Sequence, residues 1–160
     1  MVIFLEELVR FFEVPEEVEE IISSYKEKLS EIVEKEIGKV YIQFVFVDTE
    51  TISEMNMDYR GKEGPTDVLT FVYGNSNKEV ESLGEKEFEN TTEPYAEGYI
   101  CLDIVKKNAE EYNNTFEKEL LTVVVHSILH MAGYDHEYDT TNAEEMFRKQ
   151  EMYLKNLLSK

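Results

Sequence analysis

Apolar positions recur along this chain with two periods. Val18, Ile21, Ile22, Tyr25, Leu29, Ile32 and Val33 fall three and four residues apart, the spacing of a helix that buries one face. A helix is therefore predicted over 16–36, with Pro15 at its start and Gly38 past its end. Residues 2–12 are apolar with few breaks and are assigned to a strand. Val40 to Val47 is β-branched and aromatic on both faces, as in a central strand. Asp48 or Thr49 is placed to cap a short helix running to about Tyr59. A loop follows over 60–65, then a strand from Thr66 to Tyr73.

Residues 74–97 carry seven Glu and two Lys among Gly, Ser, Asn and Thr, and are expected to form a mobile acidic loop. A short strand is predicted from Tyr99 to Leu102, and a helix from Asp103 to near Asn113. Thr115 begins the next helix. Phe116, Leu120, Leu121, Val123, Val124, Val125, Ile128, Leu129 and Met131 cover most of its circumference, which marks it as buried. Thr141 with Glu144 reads as a capping box. It opens a final amphipathic helix carrying Ala143, Met146, Phe147, Tyr153, Leu154, Leu157 and Leu158. Helices and strands are mixed rather than strictly alternating. The expected architecture is α+β, one domain over 1–160, with a small mixed sheet against which the buried helix lies.

Charge narrows the function classes. The net charge is −19, which repels polyanions at long range and argues against a broad basic nucleic-acid interface. No apolar run approaches the ~20 residues of a membrane span. The first residues include an acidic pair and no basic segment, unlike a secretory signal. Cys101 is the sole cysteine, so no internal disulfide can form. These features point to the cytoplasm and to no membrane partner.

The chemistry concentrates in one segment. All three histidines, His126, His130 and His136, fall within eleven residues. His126 and His130 share a helix face, one turn apart. Gly133 can end that helix in a left-handed cap and turn His136 back toward them. Three imidazoles converging on one point suit zinc, one ion per chain, and an open fourth position would make it catalytic. The spacing H-x-x-x-H-x-x-G-x-x-H also occurs in metzincin proteases. Those enzymes have a general-base Glu after the first His, where this chain has Ser127.

Two segments together resemble the YbeY family of endoribonucleases, the bacterial rRNA maturation factors. His126 to His136 resembles that family's H-G-x-L-H-L-x-G-Y-D-H. Asn56 to Phe71 resembles its N-x-x-Y-R-G-K-x-x-P-T-D-V-L-S-F. The resemblance implies a zincin-like α+β fold and zinc held by His126, His130 and His136. It also implies cleavage of single-stranded RNA in small-subunit ribosomal RNA maturation and ribosome quality control, with the small subunit or its proteins as partners. The family's functionally important arginine falls on Arg60. This chain departs from the pattern at Ser127 (usually Gly), Thr70 (usually Ser) and Tyr99 (often Asp).

Read from the residues, a guanidinium at Arg60 offers a planar fork of donors for phosphoryl oxygens, and Lys62 can reach a neighbouring phosphate. The general base stays open. Asp135, Glu137 and Asp139 are candidates for that role, for orienting a ligand imidazole, or for capping a turn. Thr66 and Asp67 either line the site or bond the backbone at the strand entry. Lys106, Lys107 and Lys118 suit a solvated helix face better than an RNA contact. Two other functions compete. One is a zinc peptidase, disfavoured by Ser127. The other is a non-catalytic assembly factor with a closed zinc site, its fourth ligand Asp135, Asp139 or Cys101.

Overall fold

Side-chain caps fix the starts of two helices in the computed structural model, which describes residues 8–74, 94–134 and 140–159. The elements in order are β1 (Val9–Phe12), α1 (Glu16–Glu36), β2 (Ile42–Phe46), α2 (Thr49–Arg60), β3 (Val68–Val72), β4 (Ala96–Ile100), α3 (Leu102–Glu111), α4 (Phe116–Met131) and α5 (Thr140–Leu158). Pro15 stands at the N-cap of α1. Asp48, of the two residues expected there, caps α2: its carboxylate accepts from the Thr51 N–H at 2.8 Å. Thr115 caps α4, its hydroxyl accepting from the Lys118 N–H at 3.1 Å. The Asp48 and Thr115 side chains each satisfy one of the amide donors that a helix start leaves without an intrahelical partner, whereas Pro15 makes no side-chain capping bond.

The strands form one mixed sheet in the order β1-β2-β4-β3, with β1, β2 and β4 parallel and β3 antiparallel to β4. The α+β expectation is met, and β2 is central. The apolar helix α4 packs on one face, with Leu120, Leu121, Val123, Val124, Val125, Ile128 and Leu129 in the main core beside Val9, Ile42, Phe44 and Ile100. The approach is close at Gly98. A Cβ there would lie 2.6 Å from the Phe44 ring and 2.9 Å from the Ser127 hydroxyl, so only glycine lets α4 settle this near β4. α2 covers part of the opposite face, where Ile52, Leu69 and Cys101 form a smaller cluster flanked by Val47, Met55, Phe71 and Ile104.

Three boundaries depart from the sequence reading. The strand expected at Tyr99–Leu102 lies at Ala96–Ile100, so Ala96 and Glu97 belong to the sheet and not to the acidic loop. Residues 75–93 of that expected loop lie outside the described residues. α3 starts at Leu102 rather than Asp103, and its N-cap, Cys101, makes no side-chain capping bond. α5 already includes Thr140, one residue ahead of the expected cap at Thr141. On α5, Met146, Tyr153, Leu154 and Leu157 join the core, whereas Phe147 is 63% exposed. Of the expected first strand, only Val9–Phe12 is paired within the described residues. No helix among the described residues is long and apolar enough to cross a membrane.

Candidate active site and metal centre

Glu119, Thr122, Val123, His126 and His130 lie along one stripe of α4, and this stripe forms a wall of an open cleft of about 880 Å³. The edge strand β3, with Thr66 and Asp67 ahead of it, forms the facing wall. Tyr59 and Arg60, at the end of α2, stand at the margin. Thus the structure brings His126, His130, Arg60, Thr66 and Asp67 to one cleft. Lys62 is exposed and is not among its lining residues. His136, Asp135, Glu137 and Asp139 lie outside the described residues.

The two imidazoles are turned so that their Nε2 atoms face each other at 3.1 Å. Their Nδ1 atoms are engaged from behind. His126 Nδ1 donates to Gln150 Oε1 at 2.7 Å, and His130 Nδ1 donates to the Tyr134 carbonyl at 3.0 Å. A carbonyl oxygen can only accept, so each Nδ1 carries a proton, and in the neutral form of each ring Nε2 then presents a lone pair. Two lone pairs so close repel unless a cation lies between them. Nitrogens bonded at about 2.0–2.1 Å to one tetrahedral zinc are roughly 3.3–3.4 Å apart, close to the observed spacing. The described donors therefore fit two of the ligands of a zinc-type ion. Among the described residues no third His, Cys, Asp or Glu joins them.

The supports behind these rings are themselves fixed. Gly133, at φ +107°, ends α4 in the left-handed region. The Tyr134 N–H then donates to the Leu129 carbonyl at 3.1 Å, which turns the Tyr134 carbonyl toward His130. The Lys149 ammonium sits 5.3 Å over the Tyr134 ring and pairs with Glu36 at 3.0 Å. Its pKa is raised, first by its side-chain contact with Tyr134 and then by Glu36, so it stays a cation. Helices α1 and α5 thereby pin the acceptor that orients His130.

Arg60 is placed by the second motif. Gly61, at φ +67°, ends α2, and its N–H bonds the Met57 carbonyl at 3.0 Å. Buried Asn56 donates from Nδ2 to the Gly64 carbonyl at 2.9 Å, tying the loop to the helix. Asp67 does both things foreseen for it. It lines the cleft, and its Oδ1 accepts from the Val68 N–H at 2.8 Å and from the Thr66 hydroxyl at 3.3 Å.

The departures from the family pattern have clear local roles. Ser127 is fully buried and faces the sheet, sharing a 2.8 Å hydrogen bond with the Thr70 hydroxyl. It joins α4 to β3 and offers no base to the cleft. Tyr99 does not line the cleft; its hydroxyl donates to Glu97 at 3.0 Å. Burial, then that hydrogen bond, pushes its pKa up to about 12. Glu97, a buried carboxylate unforeseen in the sequence, also accepts from Tyr73 at 2.5 Å and from the Gln43 amide. Cys101 lies in the cluster under α2, 3.7 Å from the Thr49 hydroxyl. That position removes it as a fourth metal ligand. Lys106 pairs with Glu17 at 2.7 Å, and neither it, Lys107 nor Lys118 lines the cleft. Glu119 was not foreseen at the site either. It accepts from Asn114 at 3.2 Å, and two helical turns, about 10 Å of rise, separate it from His126.

A family model for endoribonuclease YbeY matches residues 8–158. The chain belongs to this family. The endoribonuclease YbeY of Thermotoga neapolitana is 50% identical over 138 residues, 86% of this chain and 81% of that one. The Bacillus cytotoxicus relative of the same name is 37% identical over 155 residues, 92% of this chain and 94% of that one. A solution structure of a Thermotoga maritima protein, 43% identical, matches with a TM-score of 0.64 over 93% of this chain and 88% of that one.

Gln150 is the contact of this YbeY-family site that the motifs do not contain. Its signal was present in the sequence: it stands four residues after buried Met146 and three before buried Tyr153, a polar residue on an inward helix face. Gln150→Leu removes the acceptor that fixes the His126 ring. Loss of such a partner typically costs about 10–100-fold in metal affinity. Competition with a chromophoric chelator should show that loss, with Gln150→Glu retaining most of the wild-type affinity. Equal affinity in Gln150→Leu would leave the hydrogen bond without a role in binding.

Proposed function

We propose that this protein is a zinc-dependent endoribonuclease that cuts single-stranded RNA in the cytoplasm, acting in small-subunit ribosomal RNA maturation and ribosome quality control. The observation that carries the reading is the pair of Nε2 atoms facing each other at 3.1 Å in a cleft that Arg60 also lines. Family membership supports the same substrate class. His126 and His130, with His136 as the expected third ligand, would hold the ion. Bound there, zinc supplies a water with its pKa lowered to about 7 and a Lewis acid for a phosphoryl oxygen. Arg60 donates from its planar fork to the phosphate oxygens as their negative charge grows. Gln150 and the Tyr134 carbonyl keep both imidazoles in the tautomer a metal requires. The open cleft admits an extended strand. Asp135, Glu137 and Asp139 remain the candidates for general base or for orienting His136.

A peptidase reading fails on Ser127. The position that holds a general-base Glu in zincin proteases is here buried against Thr70. The test is a single set of assays on metal-loaded protein freed of contaminating ribonuclease. Cleavage of single-stranded RNA should be chelator-sensitive and restored by zinc, with about one ion per chain and no hydrolysis of casein. Chelator-sensitive proteolysis without RNA cleavage would reverse the assignment. A fully loaded protein inert toward both RNA and ribosomal substrates would favour the non-catalytic assembly role.

A further inference from the structure

The cleft has a feature that neither metal binding nor phosphate binding uses. Tyr59, adjacent to Arg60 in the chain, is 68% exposed and lines the same cleft as His126. Tyrosine is intermediate in burial, and Tyr73, Tyr112 and Phe147 are also more than half exposed; what sets Tyr59 apart is its place on the cleft, one residue before the end of a helix capped at both ends. Tyr59 and Phe71 meet edge to face at 4.9 Å and 69°, and Phe71 meets Tyr99 at 5.8 Å and 77°. Tyr99 is in turn tied to buried Glu97. An edge-to-face contact occupies at most one face of a ring, so Tyr59 presents a held aromatic surface to solvent.

Charge indicates what that surface is for. The chain carries −19, and among the described lining residues of the cleft Arg60 is accompanied by two carboxylates, Asp67 and Glu119. With the proposed zinc counted, the cleft sets that ion and Arg60 against Asp67 and Glu119 within a chain of net charge −19, so charge alone gives a weak grip on a polyanion. Base–aromatic stacking can strengthen it, because stacking needs no charge and every nucleobase has a π-face. It also discriminates, since a base within a duplex has both faces covered while an unpaired base has a face to offer.

We propose that Tyr59 is a nucleobase-stacking residue. In this assignment an unpaired base next to the phosphate bound by Arg60 lies on the Tyr59 ring, and this contact gives the cleft its preference for single strands. The inference rests on the endoribonuclease reading above and deepens it. Its occupant is one unpaired nucleotide of an RNA strand. Phe71 and Tyr99 act through Tyr59, fixing its plane.

The absence of tryptophan from the chain makes the test direct. Tyr59→Trp introduces a sole indole at the proposed stacking surface, and saturation with a short single-stranded oligoribonucleotide should quench its emission. Tyr59→Ala should lose roughly 5- to 150-fold in kcat/KM, mainly through KM, the range expected for removing one base stack. Tyr59→Phe and Tyr59→Trp, which keep an aromatic ring, should restore most of that loss. An abasic residue placed at each position in turn should reproduce the Tyr59→Ala defect at one position in the wild type and add nothing to it in Tyr59→Ala. The ratio of single-strand to duplex cleavage should fall in Tyr59→Ala alone among these variants. Wild-type kinetics in Tyr59→Ala, or unquenched Tyr59→Trp that still cuts RNA, would overturn this inference and leave the endoribonuclease reading intact. A metal-loaded wild type that neither binds nor cuts the oligonucleotide would overturn both.

Discussion

Replacing His126 by alanine is expected to strip the protein of its metal and reduce RNA cleavage to background while the fold stays assembled. The His126 ring is on the cleft wall, whereas its neighbours Val125, Ser127, Ile128 and Leu129 are buried and hold α4 in place. Alanine favours the helix, so the substitution removes the imidazole, the proposed ligand, without opening the core. Loss of a mere supporting hydrogen bond costs about 10–100-fold in metal affinity, and loss of a directly bonded nitrogen costs more. Metal content after dialysis, circular dichroism and a cleavage assay on the same sample separate these effects. Full metal content with a wild-type rate in His126→Ala would refute the centre as drawn.

The second large effect belongs to Arg60. Its side chain is exposed at the last position of α2, where it contributes at most a favourable end charge of about 0.3–1 kcal/mol to the helix. Arg60→Ala should therefore keep its melting temperature and its metal. Removing one preorganised stabiliser of developing charge typically slows a reaction about 10²–10³-fold, and that loss is expected in kcat. Arg60→Lys should recover only part, because an ammonium cannot present two parallel donors. Since Asp67 and Glu119 share the cleft lining with Arg60, the salt dependence should be shallow, as screening weakens attraction and repulsion together. Unchanged kcat in Arg60→Ala would take this residue out of the mechanism, and a steep fall of binding with salt would reveal a basic surface elsewhere.

The helices were readable because their signals are local. The period of α1, the caps Asp48 and Thr115, and the all-round apolar surface of α4 are each written within a few turns of sequence. The placement of His126 and His130 on one face follows from their spacing alone. β4 was displaced because its signal is not local. Glu97 and Gly98 are both poor strand formers, and read in series they extend an acidic, glycine-containing loop. They form a strand because β2 and β3 pair on either side. Gly98 makes room for Phe44 and Ser127, and Glu97 meets Gln43 of β2, Tyr73 just past β3 and Tyr99 of its own strand. Gln150 escaped notice for a similar reason: its partner His126 is 24 residues away, on another helix.

Cys101 has a use that its burial creates. The only thiol in the chain has no exposed surface and lies beneath α2, against Ile52 and Leu69. A thiol reagent can reach it only when this cluster opens, through movement of α2 or of the first turn of α3. Under conditions where chemical modification outruns reclosing, the labelling rate equals the rate of that opening, and a change of rate on RNA binding reports the part that belongs to α2. The same helix carries Tyr59 and Arg60 into the cleft. The native cysteine is thus a clock for the motion of the substrate-side wall, read without any engineered probe and separately from the histidine centre on α4.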